Sequence, residues 1–465
     1  MTIKTLDPKL EAWLTQHDQR LHDDLFEFLR IPSVSARSEH KGDVARAAQW
    51  VHGHLARLGF TTDTIATPGH PVVLGEWRKA PKGAPTVLLY AHHDVQPVNY
   101  IEQWLSDPWK LTRRDGRLFA RGAADDKGAI SAFLGAIAAY RKTSNQLPVN
   151  IKMVVEGEEE IGSKNLLNFF ELHKKKIHSD VIVVCDTENI EVGLPCITYS
   201  LRGIVALMVE VTTARMPVHS GMAGGAVPDA ALALNVVLSK LFSPNQPLPV
   251  PGFYDSVRPL TDKERAAFRK LPWDDAKFRK ELGVVPSANF AMETGTGVYE
   301  QTWRRPSATV IAQEASSIKG ASNQVLPTAS AIVSCRIVPD QKPADVVAQM
   351  KAYLEANPPY GAEVKVKQLG AGCDWWMTDP NGPAFEAAMD ALRNGFGRDP
   401  VGIGCGGSIG FVGPLAELFG GAPALLLGIE DPASNAHAPN ESLHEGDFKK
   451  LMASLVRLFD NLAKM

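Results

Sequence analysis

Cysteine is scarce. Five are present in 465 residues, at positions 185, 196, 335, 373 and 405, odd in number and dispersed. No disulfide framework can be drawn from them, and they read as reduced thiols in core strands of a cytoplasmic protein. Long apolar runs are missing too: the longest small-residue stretch, 129–140, is interrupted by Ser131 and Gly135 and is too short to span a bilayer, so no membrane partner is expected. Neither sign of charge dominates. Lys and Arg number 49 against 52 Asp and Glu, the net charge is −3, and there is no basic tract or tail, which excludes nucleic acid as a partner. The first residues do not resemble a secretory leader. They read instead as one amphipathic helix with Leu10, Trp13, Leu14, Leu21, Leu25 and Leu29 on its apolar side. A chain of this length, 45% hydrophobic and 22% charged, is an ordinary soluble globular protein with room for two or more domains.

What is present begins with an apolar strand, Val87 to Ala91, that runs into His92-His93-Asp94. Period-2 alternation puts His92 and Asp94 on one face and His93 on the other. That suits a metal-bound imidazole with a carboxylate behind it, although the same triplet also reads as a solvated turn. Three further strands end in similar fashion. A Gly-punctuated turn carries Asp125 and Asp126 to the start of a helix, where they also suit N-capping. The strand 149–155 runs into Glu156-Gly157-Glu158-Glu159-Glu160, a run that reads equally as a solvated acidic face. The strand 181–185 ends at Asp186, and the apolar strand 424–429 leads to His437. In an open α/β sheet the carboxyl ends of the strands line the ligand crevice, so one site can collect His92, Asp125, Glu160, Asp186 and His437. Imidazoles and carboxylates without a thiolate suit two divalent ions of the zinc, manganese or cobalt kind, and Asp125 in its tight turn is the candidate bridge.

Seven segments, in order and spanning most of the chain, resemble the M20 family of metallopeptidases in its cytosolic and carnosine-type dipeptidase branch. They are Ala91 to Pro97, Arg121 to Gly128, Glu156 to Ser163, Cys185-Asp186, Val218 to Gly221, Cys335 to Pro339 and Ala436 to Glu441. The resemblance implies that His92 and Asp186 hold one ion and Glu160 and His437 the other, with Asp125 between them and Asp94 behind His92. It makes Glu159 the general base, which takes a proton from the attacking water and returns it to the departing amine. It also implies a cis peptide at Asp125-Asp126 and two divalent ions per subunit, zinc foremost. His219 would stabilise the oxyanion from a second subunit, which implies a homodimer.

The pattern of elements changes along the chain. Residues 1–202 alternate strands and helices as a mostly parallel sheet requires, and 379–465 return to that domain. Between them, 203–378 spell β-α-β-β-α-β with a Pro- and charge-rich insertion at 243–306. The expected fold is therefore α/β, a mostly parallel-sheet di-metal catalytic domain with an inserted ferredoxin-like α+β lid and dimerisation domain. Arg336, midway along an apolar strand, needs an anion, either a substrate carboxylate or a structural Asp or Glu. Gly407 and Ser408 could offer the same carboxylate hydrogen bonds, or simply form a turn. Asn323 or its neighbour Gln324 resembles a family substrate contact. Relatives often carry Glu and Pro where this chain has Cys405 and Gly410.

These readings point to hydrolysis of dipeptides or short peptides with a free carboxylate. An N-acyl or N-carbamoyl amino acid amidohydrolase is the alternative within the enzyme class, and a metal-binding protein on a retired scaffold is the alternative outside it.

Overall fold

A computed structural model describes residues 6–465. Its largest element is a nine-stranded sheet: β1 (Thr61–Ile65), β2 (Val72–Trp77), β3 (Thr86–His92), β4 (Asn150–Glu156), β5 (Val181–Glu188), β6 (Cys196–Leu201), and three strands from later in the chain. A second sheet of four strands is made of β7 (Gly203–Thr212), β8 (Ser307–Glu314), β9 (Thr328–Ile337) and β10 (Glu363–Cys373). The chain then returns to the first sheet with β11 (Trp376–Met377), β12 (Val401–Cys405) and β13 (Ala424–Glu430).

The large sheet runs β1-β2-β4-β3-β5-β13-β6-β11, with β12 on β6. Its centre, β4-β3-β5-β13, is parallel, and so is the β12–β6 pair; the flanking pairs are antiparallel. Central strands of this kind are buried on both faces, which is why they read as continuous Val, Ile and Leu runs. On one face lie α1 (Pro8–Gln16), α2 (Asp18–Leu29), α3 (Lys41–Arg57), α4 (Lys127–Thr143), α8 (Pro383–Phe396) and α10 (Glu445–Leu462), packed on Leu89, Val155 and Val183. On the other, α5 (Leu166–Ile177) and α9 (Val412–Leu418) pack on Leu88, Tyr90, Ile182 and Leu426. The second sheet, in order β8-β9-β7-β10 and antiparallel throughout, carries α6 (Ala230–Ser239) and α7 (Pro343–Glu355), the ferredoxin-like arrangement.

One difference from the sequence reading lies at the start. The expected single amphipathic helix is two, α1 and α2, broken at His17, whose backbone leaves helical geometry and whose ring stacks on Trp13. Leu10, Leu25 and Leu29 are still buried, so both segments keep their apolar side inward. All five cysteines are free and all lie in strands; Cys373 and Cys405 are half-buried, not core.

Candidate metal centre

The parallel centre of the sheet delivers the polar side chains. His92 ends β3, Glu156 ends β4 opposite it, Asp186 lies near the end of β5, and the segment after β13 leads to His437. The turn before α4 supplies Asp125, joined to Asp126 by a cis peptide bond. Helix α4 can start this close to the turn because residue 128 is glycine; a Cβ there would lie 2.3 Å from the Ala123 carbonyl oxygen.

Two three-residue groups of metal-binding type result, His92–Asp125–Asp186 and Asp125–Glu160–His437, each with its donor atoms within 4.8 Å of one another. Asp125 belongs to both: its Oδ1 lies 3.0 Å from His92 Nε2 and its Oδ2 2.9 Å from His437 Nε2. Asp186 Oδ1 stands 4.0 Å from His92 Nε2, and Glu160 Oε2 3.2 Å from His437 Nε2. The residues fit a pair of divalent ions. His92 Nε2 is buried without a well-formed hydrogen bond and faces only carboxylates. Burial and neighbouring carboxylates, Asp126 foremost, hold Asp186 far above the usual carboxylate range. Burial, with Asp125 close by, pushes Glu160 up to about 7. Hydrogen bonds to Asp125 and Glu160 raise His437 to about 11, and His92 is raised too, against its burial, by Asp125 and Asp94. Protons thus stand where positive charge is wanted, and divalent cations would replace them.

Asp94 does two things at once. Its carboxylate lies 3.4 Å from His92 Nδ1, and it accepts hydrogen bonds from the backbone amides of Glu159 (3.3 Å) and Glu160 (3.1 Å). The acidic run 156–160 is therefore no solvated face. Glu156 is buried and accepts from Tyr90 and Ser163, Glu158 accepts from Asn165, and Glu160 accepts from Gln96 at 2.7 Å. Glu159 shares its surroundings with His92, Asp125, Asp94 and His437, and burial foremost raises its pKa. Nor do the two aspartates before α4 cap it. Asp126 occupies the N-cap position without a side-chain cap and instead accepts from the His92 amide at 3.1 Å.

The substrate candidates fall into two groups. Arg336 Nη1 donates to Ser408 Oγ at 2.8 Å, and no carboxylate pairs with it among the described residues. The Gly407 amide donates to Cys405 Sγ at 3.2 Å, a weak acceptor. His219 pairs with Gln324 on a two-residue ladder, and the adjoining Asn323 O accepts from Ser220 N at 2.9 Å; His219 and Asn323 are exposed, and no described contact joins them to the metal residues.

Sequence reasoning passed over two supports. Arg202 holds the loop around residues 405–407: its side chain donates to Gly406 O (3.0 Å) and its amide to Gly407 O (3.1 Å). Glu441, fully buried, accepts from the amides of Gly122, Ala124 and Asp125 at 2.9, 3.0 and 3.1 Å and from Arg121 at 2.6 Å. Its only signal in sequence was its place at the end of a motif. Removing one partner of a buried ion pair leaves the other uncompensated, so Glu441→Ala should cost about 3–5 kcal/mol in urea unfolding. A variant as stable as the parent would show that the clamp is not structural.

The fold and the site together define a metal-dependent peptidase. A family model described as Peptidase family M20/M25/M40 matches residues 88–461, and the chain belongs to that family. It is 33% identical over 434 residues to the cysteinylglycine-S-conjugate dipeptidase of Corynebacterium striatum, covering 92% of each chain. It is 32% identical to the human Beta-Ala-His dipeptidase, covering 95% of this chain and 89% of that one. Among solved structures, human carnosine dipeptidase 1 superposes with a TM-score of 0.86 at 28% identity over 98% of both chains.

Proposed function

We propose that this chain is a two-metal dipeptidase acting on substrates with a free C-terminal carboxylate. The observation that carries this reading is Asp125 shared between two ligand groups, with Glu159 set among the same charges. His92 and Asp186 would hold one ion, Glu160 and His437 the other, and Asp125 both. Such a pair supplies Lewis acidity toward a carbonyl and lowers the pKa of water toward about 7. Zinc suits the donors best, with manganese or cobalt as alternatives.

The chain's own residues do the rest. Glu159 takes the proton of the attacking water and hands it to the leaving amine; its raised pKa favours a group that must both accept and return a proton. Asp94 fixes the base and the neighbouring ligand Glu160 through their amides while orienting the His92 ring. Arg336 and Ser408, beside Gly407, grip the substrate carboxylate, a role supported by the guanidinium having no acidic partner among the described residues. We read residues 203–378 as the inserted lid and dimerisation unit, with 1–202 and 379–465 as the catalytic domain. In that reading His219 is supplied to the site by a second copy in a homodimer, and Asn323 contacts the substrate. The exposure of His219 supports this. No helix among the described residues is long and apolar enough to cross a membrane, and with free cysteines a cytoplasmic location is proposed.

The test is amine release from a panel of dipeptides and N-acyl amino acids, using metal-stripped protein before and after re-supply of Zn²⁺ or Mn²⁺. Dipeptide cleavage absent without metal and restored by it is the expected result. Turnover of the acyl substrates alone would transfer the protein to the amidohydrolase reading.

A further inference from the structure

Strands β5 and β13 run parallel and each ends in a glutamate that the scheme above does not use. Glu188 and Glu430 are cross-strand partners, and the Asn189 amide donates to Glu430 O at 2.8 Å, holding the two strand ends together. Two carboxylates placed opposite one another on adjacent strands repel. Glu430 is only 9% exposed, yet its carboxylate has no hydrogen bond or ion pair with any described residue. Most of the charges acting on it are negative: Asp125, Glu188 and Glu441, with His437 the one exception. Burying a carboxylate in such a place without a counter-charge is costly, so the arrangement asks for a cation from outside.

Its position says which cation. Glu188 follows the ligand candidate Asp186 by two residues, roughly 6.6 Å along an extended strand and on the same face, and it is exposed where a substrate group can reach it. Glu430 feels the charges of Asp125 and His437 of the same centre, and both glutamates act on Cys405 at the head of the Gly406–Ser408 loop. The crevice therefore carries a cationic end at Arg336 and an uncompensated anionic pair nearby. A metal ion is a poor occupant, since neither glutamate belongs to a group of three close donors among the described residues. A zwitterion is a good one: in a dipeptide the ammonium lies two bonds from the scissile carbonyl carbon and the carboxylate lies on its other side.

We propose that Glu188 and Glu430 form the subsite for the free amino group of the substrate, so that the enzyme selects unblocked dipeptides over N-acyl amino acids. This rests on the dipeptidase reading and names its specificity element. N-acyl substrates bring no positive charge and leave the carboxylate pair facing itself, which gives the discrimination both an attractive and a repulsive part.

The experiment compares a dipeptide with its N-acetyl form on zinc-loaded parent, Glu188→Gln, Glu188→Asp and Glu430→Gln proteins, with bound metal quantified in each. The ratio of kcat/KM, free over acetylated, should fall at least tenfold in both Gln variants, chiefly through KM, and recover partly in Glu188→Asp. A second readout avoids turnover: calorimetric titration of the zinc-loaded Glu159→Gln protein should show the free dipeptide binding at least tenfold tighter than the acetylated one. Adding Glu188→Gln should erase that difference. Equal losses on both substrates, or an unchanged ratio with full metal content, would overturn the subsite while leaving the dipeptidase reading intact. Parent protein that cleaves only the acetylated substrate would overturn both.

Discussion

Glu159→Gln is expected to lose about 10²–10⁴-fold in kcat, the range a positioned general base contributes, with its fold and its two metals retained. Gln has the size and shape of Glu, and the Glu159 amide that anchors the turn to Asp94 belongs to the backbone, so the substitution removes basicity without moving the turn. KM should change little, because the lost group acts on the water's proton and not on the bound substrate. The measurement is steady-state dipeptide hydrolysis beside metal content by mass spectrometry. A fall in rate with two ions still bound separates catalysis from metal binding and excludes a retired scaffold. Undiminished activity would require another base, and the buried, raised-pKa Glu156 is unsuited to the task because Tyr90 and Ser163 already occupy its carboxylate.

The ends of the strands were the most legible part of the chain. His92, Glu160 and Asp186 stand out because period and hydrophobic runs mark where a strand stops, and the parallel centre of the sheet brings those stops to one crevice. The order β-α-β-β-α-β likewise foretells the ferredoxin-like sheet, since each element is long and strongly patterned. Strand direction at the margins was not legible. The flanking strands β1, β2 and β11 pair antiparallel, and nothing in so few residues encodes a partner's direction. The acidic run 156–160 reads as solvated because charge alone does not say whether an amide or a tyrosine hydroxyl waits in the interior for it. Glu441 and Arg202 were overlooked for a related reason: they hold backbone atoms, and a backbone atom leaves no letter in the sequence. Glu188 and Glu430 become a pair only through the β5–β13 register, between residues more than two hundred positions apart.

Asp125→Asn should abolish activity and remove both ions, whereas His437→Ala should remove one. Asp125 belongs to both ligand groups and His437 to one, leaving His92, Asp125 and Asp186 intact when the later histidine is lost. Asparagine keeps the side chain's volume and one oxygen, but it replaces a carboxylate that faces His92 with one oxygen and His437 with the other by a neutral group with a single acceptor. Altering a residue that merely orients a ligand costs about 10–100-fold in metal affinity. A shared ligand should exceed that at both positions at once, so titration with Zn²⁺ should fall from two equivalents to none at micromolar protein. The His437→Ala protein should titrate to one equivalent and lie well below the parent in rate, since one of the two ions is missing from the centre. Two equivalents retained by Asp125→Asn would mean that the ions do not share this carboxylate, and the pairing of the two groups would have to be redrawn around Glu160 and Asp186 as separate sites.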